Sequence, residues 1–129
     1  MRRSTWLLLW VLGWLASTTL ANPVESVPGG LRVTLEPSVM PIPLNQMHSW
    51  TVIVHTTDGS AATDAGIVVD GGMPAHDHGL ATRPQVTREL GDGRYLLEGV
   101  RFHMAGEWLL RLDIRYRDRQ YRADVSVTL

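Results

Sequence analysis

Two histidines one residue apart, His76 and His78, sit in the segment Gly71-Gly72-Met73-Pro74-Ala75-His76-Asp77-His78-Gly79. At that spacing two neutral imidazoles can point the same way and bind one ion. Asp77, between them, is placed to orient a ring by accepting its second N–H. Met73 adds a thioether. A second group, Phe102-His103-Met104, falls at a strand end, and His48 begins another strand beside Met47. Histidine with methionine and without cysteine is a soft-to-borderline ligand set that suits copper better than zinc, the thioether favouring Cu(I). Calcium or magnesium would call for a carboxylate-rich loop, which the sequence lacks. The expected metal ligands are Met73, His76 and His78, completed by His103, Met104 or His48.

Each of these residues also has a plainer reading. His-Asp-His-Gly is equally a polar loop, with Met73-Pro74 packed on the end of the domain. Met104 serves as well as a corner core residue, since successive strand residues face opposite ways. His48 shares a side with Trp50 and fits a hydrogen-bonded buried histidine, and His55, beside Asp58-Gly59, fits a solvated surface position. Signatures of catalysis are missing: no phosphate-cradling glycine loop, no Gly-x-Ser-x-Gly elbow and no His-Glu-x-x-His. The acidic residues fall in turns or on outward strand positions. An enzyme is not expected.

The elements that must position these groups follow a period of two. Leu31, Val33 and Leu35 alternate with polar residues up to Pro37, and Pro41-Ile42-Pro43 makes an extended connector. Trp50, Val52 and Val54 form a second alternating run that Asp58-Gly59 closes. Ile67 to Asp70 is a short apolar strand, residues 71–84 are a polar loop, and Gln85 to Leu90 is an edge strand. Gly91-Asp92-Gly93 turns the chain into a strand from Arg94 to Phe102. Trp108, Leu110, Leu112, Ile114 and Tyr116 then share one face, as do Tyr121, Ala123, Val125, Val127 and Leu129. Such alternation suits an antiparallel sheet with one wet face. About seven short strands in this length predict an all-β, immunoglobulin-like antiparallel β-sandwich with Trp50 and Trp108 between the sheets; a small closed barrel is the alternative.

The chain has 129 residues, no cysteine and a formal net charge of −1, with every cation an arginine. That length holds one domain, and the charge balance argues against a nucleic-acid partner. Without cysteine there is no disulfide, thiolate metal site or cysteine nucleophile. Residues 1–21 read as a secretory signal: Met1-Arg2-Arg3, an apolar run from Trp6 to Ala16, then small residues ending in Ala21. The apolar run is about half the length that spans a bilayer, so cleavage after Ala21 and export to the periplasm are expected. Residues 22–30 are then a flexible lead-in and residues 31–129 the domain, with no membrane span in the mature chain.

Four segments in order, Pro41 to Trp50, Gly71 to Gly79, Leu90 to Tyr95 and Glu98 to Trp108, resemble the YtkA-like/FixH-like family over roughly residues 31–128. The resemblance implies an immunoglobulin-like sandwich in an exported protein, and a link with copper handling, FixH-type proteins being associated with copper supply to haem–copper oxidases. It carries the family's Met-Pro-x-His-x-His-Gly loop onto Met73, His76 and His78, and its Phe-x-Met-x-Gly-x-Trp corner onto Met104. The chain departs from FixH proper in having a cleavable-looking signal instead of a retained membrane helix. Two functions follow as expectations. One is a periplasmic protein that binds or delivers copper through the His/Met loop to a copper-accepting partner. The other is a metal-free interaction module that contacts a membrane-protein partner. A small oxidoreductase would need an open copper position and a redox partner, which no motif indicates.

Overall fold

The structure is a computed structural model that describes residues 22–129; the expected signal segment, residues 1–21, lies outside the described residues. The strands are β1 (Val24–Glu25), β2 (Leu31–Pro37), β3 (His48–Thr56), β4 (Gly66–Met73), β5 (His78–Gly79), β6 (Gln85–Gly91), β7 (Arg94–Val100), β8 (Glu107–Tyr116) and β9 (Arg119–Thr128). They make two antiparallel sheets, one ordered β1-β2-β3-β7-β6 and the other β5-β4-β8-β9. Neither closes on itself, which sets aside the barrel. The alternating residues enter one core fed by both sheets: Leu31, Val33 and Leu35 of β2 and Trp50, Val52 and Val54 of β3 meet Trp108, Leu110, Leu112 and Ile114 of β8. Burying these side chains is the main favourable term in folding.

Nine strands stand where about seven were expected, and the two additions are each two residues long. One is β1, inside the segment 22–30. That segment is not a loose lead-in: Val24 and Glu25 pair with β2, and Val27 exchanges both backbone hydrogen bonds with Arg122 of β9. Ser26, a buried polar residue, accepts from the Leu31 N–H and donates to the Pro28 carbonyl. The other addition is β5, inside the segment expected as a polar loop. Here β4 runs on to Met73, and Gly72 and Met73 pair with Gly79 and His78.

One irregularity decides what reaches the end of the molecule. His48 pairs with Val100 but Trp50 pairs with Leu97, so β7 carries one extra residue there, with Gly99 in the left-handed region at φ 81°. The bulge resets the alternation: Leu97 faces the core, and so do Val100 and Phe102. Bulges re-aim side chains in this way. The strand ends at Val100 instead of Phe102, and Phe102 itself makes an isolated parallel bridge to Leu44 in the β2–β3 connector. With Phe102 turned inward, His103 and Met104 begin the corner that leads to β8.

Candidate functional site

All the expected ligands gather at one end of the molecule, but in two groups and at different depths. The β4–β5 hairpin supplies the first. Its turn is closed by the His76 N–H donating to the Met73 carbonyl at 3.1 Å, with Asp77 at a positive φ of 53°. The strands approach so closely that a Cβ on Gly72 would lie 2.4 Å from the His78 carbonyl oxygen. Only glycine fits there, and the tight hairpin fixes where His78 emerges. His76 and His78 are exposed, with ring centroids 6.1 Å apart and planes 30° from parallel.

His103, from the corner after β7, meets this pair. Its ring stands edge-on to His78 at 5.6 Å and edge-on to Trp108 at 5.2 Å. Trp108 is therefore the platform of the group, and its indole N–H donates to the Met104 carbonyl at 3.0 Å, which pins the corner carrying His103. The Met104 side chain is half-buried against the core.

Met73 goes elsewhere. It is only 2% exposed and is part of the core cluster, so the hairpin displays imidazoles while its thioether serves packing. His48 is also separate from the row. Its neighbours are Trp50 and Phe102, at ring distances of 6.2 and 5.9 Å. His48 Nδ1 donates to the Gln46 carbonyl at 3.0 Å, leaving Nε2 enclosed and without a partner. No hydrogen bond joins Asp77 to either flanking ring among the described residues; Asp77 instead lines a shallow hollow of about 360 Å³ with His78, Asp70 and Arg111. His55 is half-buried instead of fully exposed, bridged to Ala61.

The row His76–His78–His103 has spacings that two imidazoles on one ion also show: metal–nitrogen bonds of about 2.0 Å put ring centroids roughly 5–6 Å apart. His103 Nδ1 is enclosed and has no hydrogen-bond partner, an orphan that a native structure usually satisfies. Yet among the described residues no group of three or more histidine, cysteine, aspartate or glutamate side chains is disposed to hold a metal ion. As it stands, the row supplies neighbouring imidazoles without a complete coordination shell.

Beside it lies an apolar feature built from residues of the β2–β3 connector. The β2–β3 connector exposes four large apolar side chains: Val39 at 43%, Met40 at 71%, Leu44 at 42% and Met47 at 64%. The Asn45 N–H donates to the Phe102 carbonyl at 2.8 Å, so this connector adjoins the corner that carries His103. Its sequence signal was the pair of methionines flanking the proline-rich connector, since flexible, polarizable methionine is favoured at binding surfaces.

No curated protein and no solved structure matches the chain. A family model does, the one described as YtkA-like, over residues 26–113. That span runs from the buried Ser26 through both histidine groups and into β8, and the chain belongs to the YtkA-like family.

Proposed function

We propose that this chain is an exported, non-catalytic interaction module that contacts a membrane-protein partner through the end of the domain carrying the β2–β3 connector. The observation that carries the reading is the cluster of exposed apolar side chains, Val39, Met40, Leu44 and Met47, in one ten-residue connector. Scattered single apolar residues are ordinary on a surface, whereas grouped ones mark contact sites. The connector is tied to Phe102 by the Asn45 N–H and by the Leu44 bridge, which reduces the ordering its apolar side chains lose on binding. Export agrees with the basic, apolar and small-residue pattern of residues 1–21.

The test is site-specific photocrosslinking in the exporting cell. A photoreactive residue at Met40 or Met47 is expected to give a discrete adduct with a membrane protein, and one at Arg119, at the opposite end of the domain, none. Equal labelling from both ends would remove the basis for the reading.

A second reading, copper binding or delivery, is favoured by one observation, the His76–His78–His103 row. In it His78 and His103 would supply the first two nitrogen ligands and His76 a third, while Met73, buried in the core, and Met104, half-buried against it, stand outside the row. Copper would be cargo for a partner, not an agent of chemistry here. Copper titration followed by native mass spectrometry separates the two readings. Stoichiometric binding that His78→Ala and His103→Ala each abolish supports the row, and no binding leaves the module metal-free.

A further inference from the structure

Sheet edges expose unpaired backbone groups, and stable proteins blunt them with charges, bulges, short strands or covering segments. Most edges here are blunted. Strand β6 is bulged twice against β7 and carries Arg88 and Glu89, β1 and β5 are two residues long, and β9 is clamped at Arg122 by Val27. The segment Gly66–Asp70 of β4 differs. Strand β5 covers only Gly72 and Met73, and the bare stretch Gly66-Ile67-Val68-Val69 has no charge, no proline and no bulge against β8. A cleft of about 650 Å³ opens beside it, its far wall formed by Thr82, Arg83 and Pro84 of the β5–β6 connector and by Gln85 and Val86 of β6.

The Gly71 carbonyl accepts from Leu80 and its N–H is met by the Asp70 carboxylate, so Gly71 points its backbone away from β8. In an antiparallel ladder this direction alternates, which turns the N–H and C=O of Ile67 and Val69 to the open side.

We propose that two copies of this chain pair antiparallel through β4, with the two-fold axis at Val68, joining two four-stranded sheets into one of eight strands. In that register Ile67 of each copy exchanges both backbone hydrogen bonds with Val69 of the other. A shift to centre on Val69 would ask for Gly71, whose carbonyl is already taken. The outer faces select the same register. Asp70 of one copy falls opposite Gly66 of the second copy, whose missing side chain leaves open the path to Arg115, the β8 neighbour of Gly66. A Cβ on Gly66 would lie 3.9 Å from the Cβ of Arg115. Among the described residues Asp70 and Arg115 have no ion-pair partner, while their neighbours Arg111 and Asp113 are committed to Asp124 and Arg122. The two-fold axis supplies each with the opposite charge twice over, in an isologous contact.

Sedimentation of the exported protein over a concentration series tests the pairing. Wild type is expected to dimerise, and Val68→Lys, which sets like charges face to face on the axis, to stay monomeric with unchanged circular dichroism because Val68 is exposed. Asp70→Arg should weaken the dimer roughly tenfold, by the loss of two exposed ion pairs, and adding Arg115→Asp should restore it. Because the chain has no cysteine, Val68→Cys is expected to give an interchain disulfide. Residues facing each other without hydrogen bonds have Cα atoms about 4.5 Å apart, within disulfide reach. A wild type monomeric at every concentration overturns the proposal. So does a dimer indifferent to Val68→Lys and to the charge reversals, which would place the contact on another face. Capture of a foreign extended strand by a chain that stays monomeric would overturn it as well.

Discussion

Met73 rests its terminal methyl against the backbone of Gly106: a Cβ at Gly106 would lie 2.6 Å from Met73 Cε. The contact fastens the root of the histidine hairpin to the corner before β8, where Gly106 and Leu129 exchange both backbone hydrogen bonds. Gly106 also sits at φ +134°, where an L side chain is strained.

Gly106→Ala is therefore expected to destabilise the domain by about 1–3 kcal/mol from backbone strain, plus the overlap with Met73. Met73→Ala should cost about 2–5 kcal/mol as a buried large-to-small change. In the double variant the overlap disappears, so the combined loss should fall short of the sum by at least about 0.5 kcal/mol. Urea denaturation of the four proteins measures this, and strict additivity would mean the two residues do not press on each other.

The same contact shows what the sequence could convey. Strands β2, β3, β8 and β9 were legible because their inward residues repeat every second position, and the run from Trp108 to Tyr116 is the clearest case; β4 was read from a short apolar run, and β6, exposed along nearly its whole length, shows no such repeat. Strands of two residues have no period to read, so β1 and β5 were invisible. The bulge at Gly99 was hidden for a related reason: it shifts the phase of β7 within a strand that otherwise alternates. For the site, the residue types at His76, His78 and His103 were informative, and the structure does bring them into one row. Depth was not legible. Met73 follows two glycines in a polar stretch, and its burial depends on Gly106, more than thirty residues later. Nor did spacing reveal that His48 belongs to Trp50 and Phe102 and stands apart from the other histidines.

Trp108 and Arg111 lie on opposite faces of β8. Trp108 is buried, touches the Phe102 and His103 rings, and donates to Met104. Trp108→Ala should cost about 3–5 kcal/mol and release His103, which NMR would report as a changed His103 ring environment. Arg111 pairs with Asp124 at 3.5 Å with both side chains nearly half exposed, so Arg111→Ala should change stability by less than about 0.5 kcal/mol. Comparable losses for the two variants would contradict the facing of β8.

Tyr95 closes the opposite end of the core. Its hydroxyl donates to the Ala62 carbonyl at 2.5 Å and accepts from the Ala65 N–H at 3.0 Å, which turns the chain just before the open edge of β4. Burial, the main cause, raises its pKa above the ordinary phenol value. The neutral phenol is thus favoured in the folded state; this contribution is present below the unfolded value near 10 and lost as pH rises through the higher folded value. Tyr95→Phe should cost about 1–3 kcal/mol by stranding two backbone groups, and should remove that part of the alkaline sensitivity. Thermal unfolding at neutral pH and at pH values above 10 would show both effects; a variant as stable as wild type at neutral pH would mean water satisfies the two groups.

The turn after β3 offers a check on a single carboxylate at the surface. Asp58 accepts hydrogen bonds from the Thr56 hydroxyl and from the Ser60 N–H, the latter at 3.0 Å. These donors, the Thr56 hydroxyl first, hold its pKa down to about 2. A carboxyl depressed in the folded state supports the turn above its unfolded pKa of about 3.9, and that support is lost as pH falls toward 2. An NMR titration following the Asp58 side chain should therefore find its midpoint near 2, and Thr56→Val should move it upward toward the ordinary carboxylate range. The Ser60 amide resonance should titrate with Asp58 in both proteins, because its bond to the carboxylate does not need Thr56. A Thr56→Val midpoint still near 2 would shift the cause from the hydroxyl to the Ser60 amide.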